Sequence, residues 1–283
     1  MAIFTIDIGG TKCAVGVGDA GSITDLVSWP TEIGGPQHTL DKVTQQFNAF
    51  INNGHTFQAV GVCFGGPVNY ATNTVYTSVH KAGWDEFNFG TWSNTQLGLP
   101  IAIDNDANIG ALAEYHFGGY ENPESLLYVT ISTGIGAGLV INGSLLHGFR
   151  NSAGELGHIR ITDEPLECQC GRLGCFERVC SGAWLERTHG RPAEVLLAED
   201  AFLSTYAENL ARGFADAVLL YNPEVLVIGG GISNAGPRLL ERVRITLKKE
   251  LGSWAHLMPR IEISTLGPSG VHLGAMELAR GLL

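Results

Sequence analysis

Short apolar runs and amphipathic stretches alternate from the first residues of the chain. The run at 3–8 predicts a strand, and Gly9 and Gly10 then turn the chain into a second strand at 13–17, where larger apolar residues alternate with small ones. This pattern predicts a β-hairpin, and not the strand-to-helix turn of a Walker loop or a Rossmann fingerprint. Apolar residues then recur at helical spacing over 38–52, which predicts an amphipathic helix.

Two further strands are predicted to end in residues suited to binding. The run 58–64 leads into Gly65-Gly66-Pro67, and the short run 100–103 leads into Asp104-Asn105-Asp106, directly before a helix predicted over 107–117. Residues 69–95 show no period and are predicted to be irregular. Because ligands of α/β proteins collect at the carboxyl ends of strands, the Asp-Asn-Asp sequence is a candidate site. The plainer interpretation is that Asp104 or Asp106 caps the helix.

The second half of the chain restarts the pattern of the first. The segment 126–143 repeats the order found in 2–19, which is an apolar strand, a small polar residue, spaced glycines, a second strand and a glycine turn. The alternation of strands and helices predicts an α/β protein with two similar lobes, assigned to 1–118, completed by a helix at 271–283, and to 119–270. The other elements predicted in the second lobe are one or two helices over 192–221, a strand at 225–228, a helix at 237–251 and a strand at 261–264.

Charge and composition narrow the class of protein. The formal net charge is -11, from 17 Lys and Arg against 28 Asp and Glu, and no basic run is present. This balance argues against a surface that binds nucleic acid or an anionic membrane. The chain lacks the ~18 uninterrupted apolar residues of a membrane helix and the charged start of a secretion signal. We therefore expect a cytoplasmic protein whose six cysteines stay reduced.

Three of these cysteines form a candidate metal site. Cys168, Cys170 and Cys175 are spaced C-x-C-x4-C, and His158 lies ten positions before the first of them. Thiolates and an imidazole are ligands of tetrahedral zinc, and the polar, glycine-rich segment 154–177 needs something other than apolar burial to order it. Four protein ligands would close the coordination shell, so the ion would be structural. The alternative is that these small side chains only pack.

The glycines of the first turn are a candidate phosphate site. Backbone N–H groups of Gly9, Gly10 and Thr11 can approach phosphate oxygens closely because glycine has no side chain in the way. Asp7, at the end of the preceding strand, could hold Mg²⁺ through water. The turn taken alone is explained equally well as a plain hairpin turn.

Five motifs occur together in one order along the chain. They are Asp7-Ile8-Gly9-Gly10-Thr11, Asn105-Asp106-Ala107-Asn108, Ser132-Thr133-Gly134-Ile135-Gly136-Ala137-Gly138, Gly154-Glu155-Leu156-Gly157-His158, and Cys168-Gln169-Cys170-Gly171 through Gly174-Cys175-Phe176-Glu177. In this combination the chain resembles the ROK family of sugar kinases, repressors and related proteins, over nearly its whole length. The resemblance implies two actin-like, RNase H-like lobes with the sugar and ATP in the cleft between them.

The resemblance also implies a role for each motif. Asp106 would be the catalytic base that accepts the proton of a sugar hydroxyl as this hydroxyl attacks the γ-phosphate of ATP. The residues implied to bind the sugar are Gly66, Asn105, Asp106, Glu155, His158 and Glu177. Those implied to bind ATP are Asp7, Gly9, Gly10, Thr11, Lys12, Thr133, Gly134, Gly136, Gly230 and Gly231. His158 would also ligate zinc from its other face, together with Cys168, Cys170 and Cys175.

The implied partners are a hexose, ATP with Mg²⁺, structural Zn²⁺, and a second copy of the chain, since family members are often dimers. Glucose is favoured because the glutamate of the GELGH motif, here Glu155, faces the sugar 2-hydroxyl in the family. Fructose, mannose, N-acetylhexosamines and β-glucosides stay open. Glucokinase-like members often have an Asn before a Gly-Trp pair, whereas this chain has His80-Lys81-Ala82 there. The sequence therefore does not assign the residue that makes this sugar contact.

The alternative of another class is a family repressor, which senses sugar without phosphorylating it. Such repressors carry a DNA-binding domain before the first glycine turn, whereas Asp7 is almost at the start of this chain. The acidic charge is also wrong for DNA. We therefore expect a kinase.

Overall fold

A computed structural model describes residues 2–32, 35–76 and 83–283. The strands are β1 (Ala2–Ile8), β2 (Lys12–Asp19), β3 (Ser22–Pro30), β4 (Phe57–Phe64), β5 (Val68–Asn69), β6 (Thr74–Val75), β7 (Ile101–Asn105), β8 (Ser125–Ile131), β9 (Ile135–Ile141), β10 (Ser144–Leu145), β11 (Val225–Gly229) and β12 (Arg260–Ile263). The α-helices are α1 (Pro36–Asn52), α2 (Phe89–Gln96), α3 (Asp106–Phe117), α4 (Phe176–Cys180), α5 (Gly182–His189), α6 (Ala193–Leu197), α7 (Asp200–Tyr221), α8 (Gly236–Leu251) and α9 (Gly270–Arg280). No helix among the described residues combines the length and the apolar character that a membrane crossing needs.

The chain divides into two compact units. Unit 1 comprises Met1–Tyr120, His147–Ala153 and Leu266–Leu283, and unit 2 comprises Glu121–Leu146 and Gly154–Thr265. The sheet of unit 1 has the strand order β3-β2-β1-β4-β7, and that of unit 2 has the order β10-β9-β8-β11-β12. In both sheets an antiparallel hairpin is joined by two parallel strands. The matching orders confirm the predicted α/β architecture with two similar halves.

The sheet of unit 1 is covered on both faces. Successive side chains of β1 point to opposite faces. Phe4 packs edge-on against Phe47 of α1, with ring centroids 5.2 Å apart, whereas Ile3 packs in the cluster that includes residues of α3 and α9. Gly61 of β4 lets α9 approach, because a Cβ at this position would lie 1.9 Å from the carbonyl oxygen of Ala275. These contacts fix the strands whose ends carry the candidate site.

The core of unit 2 fixes the short helix α4 in a similar way. Phe176 of α4 meets Phe214 of α7 at right angles, with ring centroids 5.8 Å apart. A Cβ at Gly213 would lie 2.6 Å from the ring of Phe176, so only glycine leaves room for it. Cys175 immediately precedes α4 and Glu177 lies in its first turn. Aromatic packing therefore positions one candidate metal ligand and one candidate sugar ligand.

The region 69–95 differs from the prediction. Its described part contains the β5–β6 hairpin and the helix α2, so the expectation of irregular structure is wrong there. The Asn88 side chain caps α2 by accepting from the Thr91 N–H at 2.7 Å. A helix of eight residues has too few turns to show a hydrophobic period. The Asn before it is a common helix N-cap and could have predicted where α2 begins. His80-Lys81-Ala82, the predicted departure from the family, lies outside the described residues.

Candidate active site and metal centre

The turn from β7 into α3 holds the acidic residues singled out in the sequence. Asp104 is buried, and its Oδ1 accepts from the Asn105 N–H and from Asn108 Nδ2, both at 2.8 Å. Asn105 caps α3, since its Oδ1 accepts from the Asn108 N–H at 2.8 Å. The interpretation that Asp104 or Asp106 is the cap is therefore wrong. Asp106 is exposed in the first turn of α3.

Neighbouring strands bring other predicted residues to this edge of the unit 1 sheet. The strands β1, β4 and β7 are parallel, and in their register Asp7 lies beside Cys63, which lies beside Asp104. Gly66 follows the end of β4, and the first glycine turn follows the end of β1. Because the carboxyl ends of parallel strands share one edge, the structure groups Asp7, Gly66 and the turn that carries Asp106.

The β1–β2 turn presents its backbone to solvent. The Gly9 N–H donates to the Lys12 carbonyl at 3.0 Å, and a Cβ at Gly9 would lie 2.8 Å from that oxygen. Thr31 supports the turn, since its hydroxyl donates to the Gly9 carbonyl at 2.8 Å and its N–H donates to the Thr11 carbonyl at 3.0 Å. A Cβ at Gly10 would meet no atom within 4 Å. The turn is thus held from one side and has room for a ligand on the other.

The corresponding loop of unit 2 joins β8 to β9. The Ser132 N–H donates to the Gly134 carbonyl at 2.9 Å, and the Ile135 N–H donates to Glu177 Oε2 at 2.9 Å. A Cβ at Gly134 would lie 2.6 Å from that carboxylate oxygen, so glycine is needed for this approach. Gly136 follows on β9. Glu177, predicted only as a sugar ligand, therefore also orders the glycine loop through one of its two oxygens.

Unit 2 contains a cavity of about 610 Å³ beside this loop. Its wall includes Thr133 and Gly231, so the structure brings the loop after β8 together with the turn after β11. Gly230 has φ 78°, and a Cβ there would lie 2.4 Å from the Ile131 carbonyl oxygen. Helix α5 adds Glu186 to the wall. The volume lies in the range of ~300–1,000 Å³ that is usual for small-molecule sites.

The four predicted metal ligands lie together in unit 2. The ligand atoms of His158, Cys168, Cys170 and Cys175 are all within 4.8 Å of one another. The Sγ atoms of Cys170 and Cys175 are 3.7 Å apart, and His158 Nδ1 lies 3.8 Å from Cys168 Sγ. Zinc–sulfur bonds of about 2.3 Å in a tetrahedron place the sulfur atoms about 3.8 Å apart. The spacing of the donor set therefore fits a zinc ion.

Glycines shape the segment that carries these cysteines. Gly171 has φ 84° and Gly174 has φ 70°, backbone conformations that residues with a Cβ rarely adopt. The Cys168 N–H donates to the Arg172 carbonyl at 2.9 Å, and the Gly171 N–H donates back to the Cys168 carbonyl at 3.0 Å. A Cβ at Gly174 would lie 2.3 Å from the Thr162 carbonyl oxygen. The tight turn and this close approach bring the first two cysteines beside the third.

The three thiols of the cysteine cluster have shifted pKa values. Burial, together with hydrogen bonds to Cys170 and Cys168, raises the pKa of Cys175 to about 12. Burial also raises the pKa of Cys168, whereas the pKa of Cys170 is lowered, because hydrogen bonds from the Arg172 backbone and the other two thiols outweigh its burial. Thiols crowded in this way resist ionisation unless a positive charge lies among them. A Zn²⁺ ion would supply that charge and bind the thiolates directly.

His158 lies between the cysteine cluster and Glu155. Its Nδ1 faces Cys168, and its Nε2 lies 4.0 Å from Glu155 Oε2, which is longer than a hydrogen bond. The side chain of His158 is 32% exposed and that of Glu155 is 64% exposed. A hydroxyl group at this place could donate to the carboxylate and accept from the imidazole. The arrangement suits the predicted sugar contacts, with the cysteine cluster fixing the ring from behind.

Sequence reasoning missed one contact of a buried carboxylate in unit 1. His147 Nε2 lies 2.6 Å from Asp104 Oδ2, and the His147 ring stacks on Tyr70 with ring centroids 3.7 Å apart. His147 is separated from Asp104 by 43 positions and belongs to none of the five motifs. No local spacing could therefore have predicted the contact.

Comparison with known proteins identifies the family. A model of the ROK family matches residues 3–281. The chain belongs to the ROK family. It is 33% identical to a ROK relative, a glucokinase of Streptomyces coelicolor, over 97% of this chain and 96% of that protein. A ROK glucokinase from Streptomyces griseus, solved with glucose and AMPPNP, has a TM-score of 0.80 at 28% identity, with 99% of this chain and 100% of that chain covered.

ROK proteins include regulators as well as enzymes. A xylose repressor of Bacillus subtilis is 26% identical to this chain, over 87% of this chain and 68% of the repressor. ROK membership accounts for the two sheets of matching order, because the ROK sugar kinases have the actin-like, two-lobed α/β fold that the sequence predicted. Because the family contains both enzymes and regulators, membership alone does not distinguish catalysis from regulation.

Proposed function

We propose that this ROK protein is an ATP-dependent sugar kinase that transfers the γ-phosphate of ATP to the 6-hydroxyl of glucose. The observation that carries the proposal is the exposed carboxylate of Asp106 in the first turn of α3, at the carboxyl edge of the unit 1 sheet. The similarity to a glucokinase over nearly the whole chain supports the reaction class.

Asp106 would act as the base toward the sugar hydroxyl. Phosphoryl transfer needs a carboxylate that accepts the hydroxyl proton, and most of the remaining acceleration comes from positioning and charge neutralisation. The Asn105 Oδ1 accepts from the Asn108 N–H, which fixes the side chain and leaves its Nδ2 group as the donor to a sugar. Gly66, at the same edge, would let the sugar approach the backbone closely.

Two glycine loops would hold the triphosphate of ATP. The loop Gly9–Lys12 offers exposed backbone and a lysine, and Thr133–Gly136 is ordered by the carboxylate of Glu177. The cavity that Thr133 and Gly231 line has the volume and the mixed polarity for the nucleoside. When bound, Mg²⁺ would neutralise charge on the phosphates, and Asp7 would hold it through water.

Glu155, His158 and Glu177 are proposed as further sugar ligands. Carboxylate and imidazole groups form directional hydrogen bonds, so they discriminate between rings with differently oriented hydroxyls. Zinc bound by His158 and the three cysteines would have a structural role, because four protein ligands leave no open position for water or substrate. Its effect would be to hold the His158 ring in place.

A coupled assay of ADP release, with ATP, Mg²⁺ and a panel of hexoses, tests the function. We expect turnover with glucose above mannose, fructose, N-acetylhexosamines and a β-glucoside. Asp106→Asn should abolish turnover and leave glucose binding measurable by calorimetry, because the amide keeps the shape of the side chain and loses its basicity. Retained activity in this variant would remove Asp106 as the base. Glucose binding without turnover by the wild type would instead support a sugar sensor.

A further inference from the structure

The buried carboxylate of Asp104 has no role in the proposed binding of sugar or ATP. Asp104 is 1% exposed, and three groups donate to its carboxylate, which are the Asn105 N–H, Asn108 Nδ2 and His147 Nε2. Burying a carboxylate is costly unless it is paired and hydrogen-bonded. Asp104 lies two residues before the proposed base Asp106, so its burial is best explained by a role in the site.

The donor His147 is itself held in place. It begins the segment His147–Ala153, and its ring stacks on Tyr70 at an interplanar angle of 19°. The same segment is held a second time where Asn151 Nδ2 donates to Asn69 Oδ1 at 3.2 Å. The imidazole therefore meets Asp104 from a fixed position, and the 2.6 Å distance is that of a strong, charge-assisted contact.

We propose that Asp104 and His147 are positioning residues for the Asp106 carboxylate, an assignment that rests on the proposed kinase function. Asp104 Oδ1 binds one group before Asp106, the Asn105 N–H, and one group after it, the Asn108 side chain. His147 holds Oδ2 and so prevents the carboxylate from rotating away from these two donors. The turn is clamped on both sides of the base, and a misplacement of ~1 Å at a reacting group can cost about a hundredfold in rate.

The variant His147→Leu tests this assignment because it removes the Nε2 donor to Asp104 and places an apolar side chain of similar length beside Tyr70. We expect kcat to fall by about tenfold to a hundredfold at saturating ATP and hexose. The Kd of the hexose measured without nucleotide should rise by a smaller factor than kcat falls, because Asn105 and Asp106 are only part of the proposed sugar-binding set. The amide of Asn108, which closes the cap, should exchange its hydrogen faster.

Two further variants separate positioning from a general loss of structure. His147→Gln retains an N–H donor and should recover most of kcat. His256→Leu, the same type of change at an exposed histidine of unit 2 to which no role is assigned, should leave kcat unchanged.

An active wild type with an unchanged kcat in His147→Leu would overturn the positioning role alone. A loss of hexose affinity equal to the loss of kcat would also overturn it, since the pair would then support binding and not the base. A wild type that is inactive with every hexose would overturn the proposed function and this assignment with it.

Discussion

A buried histidine makes the stability of unit 1 depend on pH. His272 of α9 is 1% exposed, and its Nδ1 lies 2.9 Å from the hydroxyl oxygen of Thr5 on β1. The Thr5 hydroxyl donates its only hydrogen to the Gly16 carbonyl at 3.0 Å, so it must accept from His272 Nδ1–H. This hydrogen bond links α9 to the first two strands.

The magnitude follows from the pKa of this imidazole. Burial, with a smaller contribution from the charge of Lys12, lowers the pKa of His272 from its ordinary value of 6.5 to about 4. Between pH 6.5 and about 4 the imidazole is mostly protonated in the unfolded chain and mostly neutral in the folded protein. The contribution of His272 to the free energy of unfolding is therefore full above pH 6.5 and decreases as the pH falls toward about 4. At ~1.4 kcal/mol per pKa unit the loss amounts to about 3 kcal/mol.

Urea unfolding followed by tryptophan fluorescence, repeated from about pH 7 down to about pH 4, measures this loss. We expect the wild type to lose about 3 kcal/mol more than His272→Asn over this range, about 2 kcal/mol of it by about pH 5. Met276→Leu, a neutral change on the same helix, should shift the whole curve and leave its pH dependence intact. Parallel curves for the wild type and His272→Asn would refute the reasoning.

Three further predictions concern glycines and the metal. Gly61→Ala places a Cβ 1.9 Å from the Ala275 carbonyl oxygen. The free energy of unfolding measured in urea should therefore fall by about 3 kcal/mol or more. A fall of less than about 1 kcal/mol would contradict the close packing of β4 against α9. Gly134→Ala should push Glu177 off the glycine loop and raise the KM for ATP by about tenfold, and an unchanged KM would deny that contact a role. Metal analysis of Cys170→Ser should find no zinc, and the Tm of this variant should fall by about 3 °C or more. Removing the metal from the wild type with a chelator should lower Tm in the same way. Full zinc content in Cys170→Ser would refute the ligand set.

The hydrophobic pattern predicted most of the fold because most elements are long enough to show a period. The hairpin of β1 and β2 and the repeated pattern at β8 and β9 show why: apolar runs punctuated by glycines specify strands and turns locally. The short helix α2 was missed because eight residues carry little periodicity. The cluster of candidate metal ligands could be predicted because three of its four residues lie within eight consecutive positions.

Contacts between distant parts of the chain could not be predicted. The pairs Glu177 with Ile135 and Asp104 with His147 are separated by 42 and 43 positions. Each depends on which strand ends meet, and that follows from the tertiary fold and not from local spacing. The alternative that Asp104 or Asp106 caps α3 was wrong because three adjacent polar side chains, Asp104, Asn105 and Asp106, are all good caps. Only the backbone geometry separates their roles.

Direct detection of the product is the sharpest test of the proposed kinase. The protein is incubated with ATP, Mg²⁺ and glucose, and ³¹P NMR follows the phosphate species. We predict that the γ-phosphate signal of ATP disappears as ADP and a sugar 6-phosphate monoester grow in equal amounts, and that Asp106→Asn forms neither. Unchanged ATP in the presence of bound glucose, or the same monoester formed by Asp106→Asn, would contradict the account.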